Sequence, residues 1–574
     1  MPEDPIQPTR VATAVTSGAY ELPVYPFVEP EELRGKLGRH PVLIVGGGLA
    51  GLTAACALAL RGVPAVLLDE DNTVGVRGAS SRGICYAQKS LEIFKRLGIY
   101  ERIAGKGVQW SVGRTFAGDD EVYSFDLRQQ RTHDVSPQPA FINLQQFYVE
   151  WFLVDRIYEL GTVELRWQNR VTGIEVQPDH VKVEVDTPAG RYTCESQWLI
   201  DCTGANSLLA EQLGIGAQTH KQPDRWCISD VRFRARPPAE RWTWIEAPFN
   251  ENRAVWQHLM ADDVWRLDYQ MPADADPDAI AHPALVRERL ARQFGRDVEF
   301  ELVWVGPYAY RSRCLDTFRA GRVFFAGDAA HVMSPFGARG GNSGVQDVDN
   351  LAWKLALVLQ GQAPAALLDS YDAERRAAAL QNIRITDRTA RFLSPPTAAE
   401  RVMRDAVIAL ARDHAFARAF VNTGRLSAPT DYVDSPLNTG SGGGRSVQNV
   451  ALAVLDGEGR PRERDLVALA EENESRLLLL LFVEPATVAA RRLAELAVRY
   501  PVTCVVVLGD GGARVAGTEF IAVRDSGQHL RSQCGAQTCA AALLRPDLHL
   551  AATLNHLRID AVERAIRRAL GHKE

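Results

Sequence analysis

The sequence lacks the features that mark membrane and secreted proteins. Its 574 residues contain no apolar run of 18 residues, and the longest, Leu477–Val483, has only seven. So short a run predicts a buried strand and not a membrane span. Residues 1–10 carry two acids and three prolines in place of the apolar segment of a secretory signal. We therefore expect a cytoplasmic protein that is not inserted in a membrane.

An excess of charge of one sign is also missing. The chain has 65 Lys and Arg residues against 71 Asp and Glu residues, a net charge of −6. This balance disfavours a nucleic-acid partner or an anionic membrane surface and leaves chemistry on small molecules as the expected function. Hydrophobic residues make up 46% and charged residues 24%, as in ordinary globular proteins. The length predicts three to five domains.

Cysteine is sparse and does not follow a disulfide or metal-binding pattern. The nine cysteines are an odd number scattered over a long chain, unlike the dense pairing of small secreted proteins, so free thiols are expected. Cys534 and Cys539 have four residues between them, where a dithiol redox motif has two. No cluster of His, Cys and Asp has the spacing of metal ligands, so no metal is predicted.

A glycine-rich turn follows the first apolar run. Val42–Val45 reads as a buried strand, and the GxGxxG of Gly46, Gly48 and Gly51 leads into a helix of small residues. A second apolar run, 65–68, ends at Asp69. This βαβ order predicts a dinucleotide site, with the pyrophosphate at the helix N-terminus and Asp69 accepting from ribose hydroxyls. A tight α/β turn without a ligand is the alternative.

A second glycine-rich segment follows another buried strand near residue 325. It contains Gly327-Asp328-Ala329-Ala330-His331, then the stretch 334–344, and a helix predicted from about Ser343 to Gln360. The carboxylate of Asp328 ends the strand, where open α/β sheets bind ligands. The helix would favour a negative charge at its N-terminus. We expect His331 to be a packed structural residue, while Arg339 either faces nicotinamide phosphates or neutralises the loop.

Polar and apolar residues alternate between residues 240 and 270, which predicts antiparallel sheet. Four tryptophans of this region either form the core of the sheet or line an aromatic pocket: Trp242, Trp244, Trp256 and Trp265. His258 and Arg266 are candidate ligands for a substrate carboxylate or phenolate, because Arg forks suit carboxylates. Their alternative is a solvated strand face.

Together these motifs resemble the FAD-dependent aromatic monooxygenases of the para-hydroxybenzoate hydroxylase and phenol hydroxylase group, most of all the 3-(3-hydroxyphenyl)propionate hydroxylase branch. The resemblance covers about residues 41–574. Its motifs are GxGxxG at 46–51, Ser81-Arg82, Gln146 with Glu150 and Leu153, GDAAH at 327–331, PxGARGGN at 335–342, and the helix 347–355.

The resemblance implies a fold class, α/β, with a discontinuous Rossmann-like FAD-binding domain, an inserted antiparallel-sheet substrate domain and a C-terminal thioredoxin-like domain. That last domain is structural in the family and often forms dimers, so a homodimer is one expectation. The predicted division is an N-terminal arm (1–40), FAD-binding domain (41–219), substrate domain (220–319), the rest of the FAD-binding domain with helices (320–434), a linker (435–449) and the thioredoxin-like domain (450–574).

The resemblance also implies roles for individual residues. The FAD contacts it implies are Gly46, Gly48, Gly51 and Asp69 with the adenosine half, Arg82 and Gln146 with the phosphate and ribityl region, Asp328 with the ribityl chain, and Gly340, Gly341 and Asn342 with the isoalloxazine ring. The backbone carbonyl of Pro335 would lie near the hydroxylated carbon.

The implied reaction is hydroxylation of a phenolic or similarly activated ring. NADH or NADPH reduces FAD, O2 is captured as a flavin C(4a)-hydroperoxide, and one oxygen is transferred to the small aromatic substrate. The protein supplies orientation, electrostatics and a dry pocket.

One motif departs from the family pattern. The family's middle motif has an acid followed by Gly, Ser and Arg, whereas this chain has Thr203 in place of the acid and Ala210 in place of the Arg. Asp201 is a partial substitute for the acid. Two alternatives therefore stay open: an FAD oxidase or dehydrogenase without productive NAD(P)H binding, and a non-catalytic flavin-binding sensor.

Overall fold

The structure is a computed structural model. It describes residues 15–17, 20–75, 85–129, 135–235, 237–418, 420–421, 426–440, 442–473, 475–483, 487–509, 520–535 and 539–573. Two residues of the sequence motifs lie outside the described residues: Ser81, and Arg82, which is a predicted FAD contact.

Strands and helices alternate along much of the chain. The strands are β1 (Val15–Ser17), β2 (Tyr20–Leu22), β3 (Gly38–Val45), β4 (Ala65–Leu68), β5 (Cys85–Ala87), β6 (Val108–Gln109), β7 (Val112–Ala117), β8 (Asp120–Asp126), β9 (Phe141–Asn143), β10 (Val163–Arg166), β11 (Arg170–Val176), β12 (Val181–Thr187), β13 (Gly190–Asp201), β14 (Ala217–Phe233), β15 (Arg241–Ala247), β16 (Arg253–Leu259), β17 (Val264–Met271), β18 (Phe300–Leu315), β19 (Arg319–Ala320), β20 (Val323–Phe325), β21 (His331–Val332), β22 (Ala451–Leu455), β23 (Pro461–Asp465), β24 (Leu477–Leu481), β25 (Val502–Leu508), β26 (Ile521–Arg524), β27 (Ala541–Leu544) and β28 (Leu550–Leu554). The α-helices are α1 (Leu49–Ala59), α2 (Gln88–Arg96), α3 (Tyr100–Lys106), α4 (Gln146–Leu160), α5 (Leu208–Gln212), α6 (Pro277–Ile280), α7 (Pro283–Phe294), α8 (Gly340–Leu359), α9 (Asp369–Leu393), α10 (Ala398–Asp413), α11 (Ala415–Arg418), α12 (Leu466–Glu472), α13 (Thr487–Arg499), α14 (His529–Gln533) and α15 (Ile559–Ala569).

The first sheet has the order β10-β4-β3-β13-β12-β11, and β20 also pairs with β13. The strands β10, β4, β3, β13 and β20 run parallel, whereas β11 and β12 are antiparallel. The four residues 42–45 of β3 are buried, as the continuous apolar run predicts for a parallel strand covered on both faces. Residues far apart in the chain, in β3 and β20, therefore belong to one sheet.

The second sheet has the order β21-β18-β14-β17-β16-β15-β7-β8 and is antiparallel except where β15 meets β7. One face packs on α7 through Trp265, Leu267 and Tyr269. The other face carries Trp256 and the side chains of neighbouring strands that point to the same side, and it packs against Phe336. Both faces are covered, so alternate polar residues along β15, β16 and β17 are buried as well.

The third sheet has the order β23-β22-β26-β25-β24-β27-β28, with β24, β25 and β26 parallel. Every leucine of β24 is buried, alternately against the two faces of the sheet. The segment predicted as a linker packs on this unit: Gly444 N donates to Leu550 O at 2.7 Å, and Thr439 bridges to Ala552.

Buried charges join the third sheet to α8 and α9. Glu374 accepts hydrogen bonds from Arg545 Nη1 at 2.6 Å and from Lys354 Nζ at 2.7 Å, and Arg545 also pairs with Asp547. The side chains of all four residues are almost completely buried. A buried carboxylate that loses one of its partners is costly, so this network fixes the position of α8 against the C-terminal unit.

Candidate active site

Four parallel strands end at one edge of the first sheet. Val45 is in register with Leu68 and with Asp201, and Asp201 is in register with Phe325. The residues that follow these strands therefore meet at one edge, among them Gly46. Open α/β sheets bind ligands at this carboxyl edge.

The first glycine turn is shaped by steric limits. Gly46 has a φ of +103°, which residues with a side chain rarely adopt. A Cβ at Gly51 would lie 1.9 Å from the carbonyl oxygen of Gly46. The first turn of α1 therefore approaches the end of β3 so closely that only glycine fits at position 51. At Gly48 the nearest side-chain atom, Glu150 Oε1, would be 3.9 Å from a Cβ, so this turn is open on its outer side.

The N-termini of α1 and α8 lie side by side at this edge. A Cβ at Gly341 would be 3.4 Å from Leu49 Cδ2, and one at Gly327 would be 2.9 Å from Ala50 Cβ. Neither helix, starting at Leu49 and Gly340, has a capping residue whose side chain accepts a hydrogen bond from the first turn. Two sets of backbone N–H groups and two positive helix ends therefore face the same region.

Two carboxylates and an amide surround the start of α1. Asp69 accepts from Gly47 N and, at 2.8 Å, from Asp71 N. Glu150 accepts from Gln146 Nε2 at 2.7 Å and from a backbone N–H. Burial raises the pKa of Asp69 to about 6 and that of Glu150 to about 7. Both groups thus lie in a region of poor solvation for negative charge.

Asn342 holds the start of α8 through its side chain. Its Oδ1 accepts from Ala87 N at 2.9 Å, and its Nδ2 donates to Cys85 O at 2.8 Å and to Ala338 O at 2.6 Å. The amide is saturated by protein, so any contact of Asn342 with a ligand uses its backbone. Because this long-range anchor orders the first turn, α8 begins at Gly340, three residues before the predicted start.

The buried carboxylate of Asp347 organises the second glycine segment. It accepts from Gly327 N at 3.0 Å, from His331 Nε2 at 2.6 Å and from Arg375 Nε at 2.7 Å. Burial acts to raise the pKa of Asp347, but the charge of Arg375 and the hydrogen bonds from His331 and Arg375 hold it below the ordinary value. His331 is fully buried, as expected for a structural residue. Asp328, next to Gly327, is exposed at the sheet edge.

An aromatic cluster lies next to Pro335. The ring of Phe336 packs edge-on against Trp256 at 4.8 Å and contacts Tyr310 at 5.6 Å, while Trp226 stacks on Trp256 at 5.0 Å. Pro335 itself is exposed. The four tryptophans lie on two faces of the second sheet. Trp256 belongs to this cluster next to Pro335, whereas Trp242, Trp244 and Trp265 pack on the face that α7 covers.

His258 and Arg266 are cross-strand partners on the same face as Trp256. Both are more than 90% buried, so the alternative of a solvated strand face is wrong. It fails because this face is covered by residues distant in the chain. Arg266 donates to Asp268 at 2.9 Å. Burial and the charges of neighbouring arginines hold the pKa of His258 well below its ordinary value, so the imidazole is neutral.

Asp201 and Arg339 are occupied by other protein groups. Asp201 is fully buried and accepts from Thr203 N at 2.9 Å and from Ser207 Oγ. It therefore caps the turn before α5 and does not take the place of an exposed acid. Arg339 is buried and donates to Asn382 Oδ1 at 2.6 Å. A role facing nicotinamide phosphates does not fit that position.

Sequence reasoning missed two buried polar residues near the site. Glu150 belongs to a sequence motif, and its spacing from Gln146 puts both residues on one helix face. For Arg241 the available signal is alternation along the strand, since Trp242 and Trp244 alternate with it along β15 and pack on the opposite face. Among the described residues, no group of three or more His, Cys, Asp and Glu side chains could hold a metal ion.

Comparison with known proteins identifies relatives of this chain. A family model described as "FAD binding domain" matches residues 39–386. A 3-(3-hydroxy-phenyl)propionate/3-hydroxycinnamic acid hydroxylase of Mycolicibacterium smegmatis is 29% identical over 371 residues, 65% of this chain and 64% of the relative. The chain thus matches less than two thirds of that protein. A flavin-dependent monooxygenase of Mycobacteroides abscessus is 31% identical over 354 residues, 58% of this chain and 70% of the relative.

The fold also has a counterpart among solved structures. The flavin-dependent monooxygenase PieE, solved with FAD and substrate, superposes with a TM-score of 0.77 at 23% identity, over 93% of this chain and 99% of that one. At this identity the likeness shows a shared fold. None of the helices in the described segments has the length and apolar character needed to cross a bilayer. The chain belongs to the FAD binding domain family, and it is similar in sequence to a flavin-dependent monooxygenase and to 3-(3-hydroxy-phenyl)propionate/3-hydroxycinnamic acid hydroxylases.

Proposed function

We propose that the protein hydroxylates a phenolic or similarly activated aromatic ring, with FAD as cofactor, NADH or NADPH as reductant and O2 as co-substrate. The observation that carries the proposal is the meeting of two helix N-termini without side-chain caps, those of α1 and α8, at the carboxyl edge of the first sheet. The backbone N–H groups of these first turns and the positive helix ends suit a pyrophosphate and an anionic reduced flavin.

The adenosine half of FAD fits the first glycine turn. Gly48 leaves the outer side of the turn open, and Asp69 lies at the end of β4, where it can accept from ribose hydroxyls. Gln146, partly exposed beside Glu150, is in a position to donate to the phosphate and ribityl region. Arg82 stays a prediction, because it lies outside the described residues.

The flavin half fits the second glycine segment. Asp328 is exposed next to the buried Gly327 and can accept from ribityl hydroxyls. The backbone of Gly340, Gly341 and Asn342 forms the uncapped first turn of α8 and would line the ring. When bound and reduced by NADH or NADPH, FAD supplies the electrons and the O2 activation for oxygen transfer.

The substrate would lie between the second sheet and the loop that carries Pro335. Phe336 and Trp256 give this region an aromatic wall, and apolar walls exclude water from the reacting centre. The backbone carbonyl of Pro335 would face the carbon that is hydroxylated. His258 and Arg266 contribute the polar groups, with His258 neutral and Arg266 held by Asp268.

Strand pairing supports the predicted division of the chain. The parallel pairing of β20 with β13 is consistent with a discontinuous FAD-binding domain, and the second sheet, mainly β14–β18, is consistent with an inserted substrate domain. The mixed third sheet, flanked by α13 and α15, is consistent with a thioredoxin-like unit. The homodimer and the cytoplasmic location stay predictions.

A specific observation keeps one alternative in view. Asp201 caps a turn and Arg339 binds Asn382, so neither is available to a nicotinamide nucleotide. An FAD oxidase or dehydrogenase that takes hydride from its substrate would not need such contacts.

The decisive assay combines the FAD-loaded protein with NADH or NADPH, a panel of phenols and aromatic acids, and 18O-labelled O2. The proposal expects NAD(P)H consumption that an aromatic compound stimulates, with one labelled oxygen in the product. Oxidation of a substrate without NAD(P)H and without labelled oxygen would instead establish the oxidase or dehydrogenase. Flavin reduction with no turnover on the whole panel would favour a sensor.

A further inference from the structure

Arg375 connects the second glycine segment to the rest of the fold. This residue of α9 is fully buried. Its Nε donates to Asp347 Oδ1 at 2.7 Å, and its Nη2 donates to the carbonyl oxygen of Ser343 at 3.2 Å. Asp347 in turn accepts from Gly327 N, and Ser343 lies in the first turn of α8. One guanidinium therefore contacts both pieces of chain that would hold the flavin half of FAD.

Tyr432 is a further partner of this guanidinium. Its hydroxyl oxygen accepts from Arg375 Nη1 at 2.9 Å, and its side chain is buried. Burial raises the pKa of Tyr432, so the hydroxyl stays neutral. The donors of a guanidinium lie in one rigid plane, so a group that is hydrogen-bonded through all three nitrogens cannot turn without losing contacts. Tyr432 thus completes the contacts that orient Arg375.

The C-terminal unit, made of the third sheet and its helices, holds Tyr432 in place. The ring of Tyr432 stacks on that of His549, with centroids 4.2 Å apart and planes at 19°. The backbone N–H of Tyr432 donates to Gly444 O at 2.8 Å, and Gly444 N donates to Leu550 O of β28 at 2.7 Å. The ring and the backbone of Tyr432 are therefore both fixed by the C-terminal unit and the segment packed on it.

The other buried network between these parts of the chain reaches α8 far from the flavin region. Glu374 and Arg545 connect to α8 through Lys354, which lies 14 positions after Gly340. At 1.5 Å per residue this contact is about 21 Å from the start of the helix. Arg375 instead contacts Ser343 in the first turn. The path through Tyr432 is therefore the one that ends at the second glycine segment.

We propose that Tyr432 is a positioning residue for the flavin: held by His549, it orients Arg375, which fixes Gly327 and the first turn of α8. The inference rests on the proposed place of the flavin half at the second glycine segment. It adds a role for the C-terminal unit, which would affect the affinity and the reduction of FAD without touching the cofactor.

The test measures FAD affinity by fluorescence titration of the flavin-free full-length chain. Tyr432→Phe removes the acceptor for Arg375 Nη1 and keeps the ring that stacks on His549. We expect it to weaken FAD binding about threefold to tenfold. Tyr500→Phe is the matched control, because it removes a hydroxyl of the same unit that donates to Glu563 at 3.1 Å. It should leave the affinity at the parent value.

A double-mutant cycle tests the route. Arg375→Lys keeps a positive charge near Asp347 and loses the contacts with Tyr432 and Ser343, so FAD affinity should fall about tenfold or more. Adding Tyr432→Phe to this variant should weaken binding by less than about twofold further, because the contact is already lost. His549→Leu removes the stacked ring and should weaken FAD binding about threefold. It carries the test of the route if Arg375→Lys does not fold, as judged by melting of the flavin-free protein.

The midpoint potential of the bound flavin separates positioning from stability. At saturating FAD, a variant that is only less stable keeps the parent potential. A displaced first turn of α8 instead favours an anionic reduced flavin less. For Tyr432→Phe we expect a shift of about 14 mV or more to negative potential, which corresponds to a threefold greater loss of affinity for reduced than for oxidised FAD. Tyr500→Phe should keep the parent potential.

Several results would overturn the proposal. It is wrong if Tyr432→Phe leaves the affinity or the potential at the parent value, if Tyr500→Phe has the same effect, if the separate effects of Tyr432→Phe and Arg375→Lys multiply in the double variant, or if His549→Leu binds FAD as the parent does. The proposed function fails separately. An FAD affinity and potential that depend on Tyr432, without oxygen transfer to any aromatic compound, would support the positioning role and refute the hydroxylase.

Discussion

Replacement of Glu150 by Gln should make the protein less sensitive to rising pH. Glu150 is 4% exposed and accepts hydrogen bonds from Gln146 and Gly75. Burial raises its pKa from 4.5 to about 7. A carboxyl whose pKa is raised in the folded state stabilises the fold at pH values below the pKa that the same carboxyl has in the unfolded chain. That contribution is lost as the pH rises from about 4.5 to about 7.

The magnitude follows from the two pKa values. Each pKa unit corresponds to about 1.4 kcal/mol, so ionisation of Glu150 lowers the free energy of unfolding by about 3 kcal/mol at pH 8. About 2 to 3 kcal/mol of this loss falls between pH 5 and pH 8. A Gln side chain fills the same space and carries no charge, and the amide of Gln146 can rotate to donate or accept as needed.

The assay is urea denaturation of the flavin-free protein at pH 5 and pH 8, followed by tryptophan fluorescence. Other groups titrate in both proteins, so the difference between variant and parent isolates Glu150. The variant should gain about 2 to 3 kcal/mol relative to the parent between pH 5 and pH 8. Glu159→Gln, on the same helix but 59% exposed, is the control and should show no such gain. An equal difference at both pH values would refute the reasoning.

Three further predictions concern other parts of the chain. Asp328→Ala should weaken FAD binding roughly tenfold or more in a fluorescence titration, because the exposed carboxylate would accept from ribityl hydroxyls; unchanged affinity would count against its assignment. Asp347→Asn should lower the free energy of unfolding by about 3 to 5 kcal/mol, because it leaves Arg375 without its buried counter-charge; a loss below about 1 kcal/mol by denaturation would contradict this. Cys534→Ser combined with Cys539→Ser should leave turnover unchanged, since burial raises the pKa of both thiols and disfavours the reactive thiolates; loss of turnover in a folded variant would show a redox role.

Local patterns were sufficient for the elements that build the first glycine turn. The apolar run 42–45, the glycines that follow it and the small-residue helix correspond to β3, the turn and α1. These predictions succeed because a parallel strand, a tight turn and a buried helix each have a composition of their own. The strand end at Asp69 was predictable for the same reason.

Contacts between distant segments were not predictable from one sequence. Arg266 alternates with apolar neighbours and reads as solvent-facing, yet elements from elsewhere in the chain cover its face of the sheet. The start of α8 depends on Asn342 binding to β5, some 255 residues earlier. Arg241 likewise gives no local signal of its burial, because the elements that cover its face of the sheet come from elsewhere in the chain.

Two glycine segments, near residues 46 and 340, would hold one FAD between them. The most direct measurement is a titration of flavin-free protein with FAD, followed by flavin fluorescence. We predict saturation at one FAD per chain, with Asp69→Ala and Asp328→Ala each weakening the binding. A folded protein that takes up no FAD at a large excess of the flavin would contradict the account.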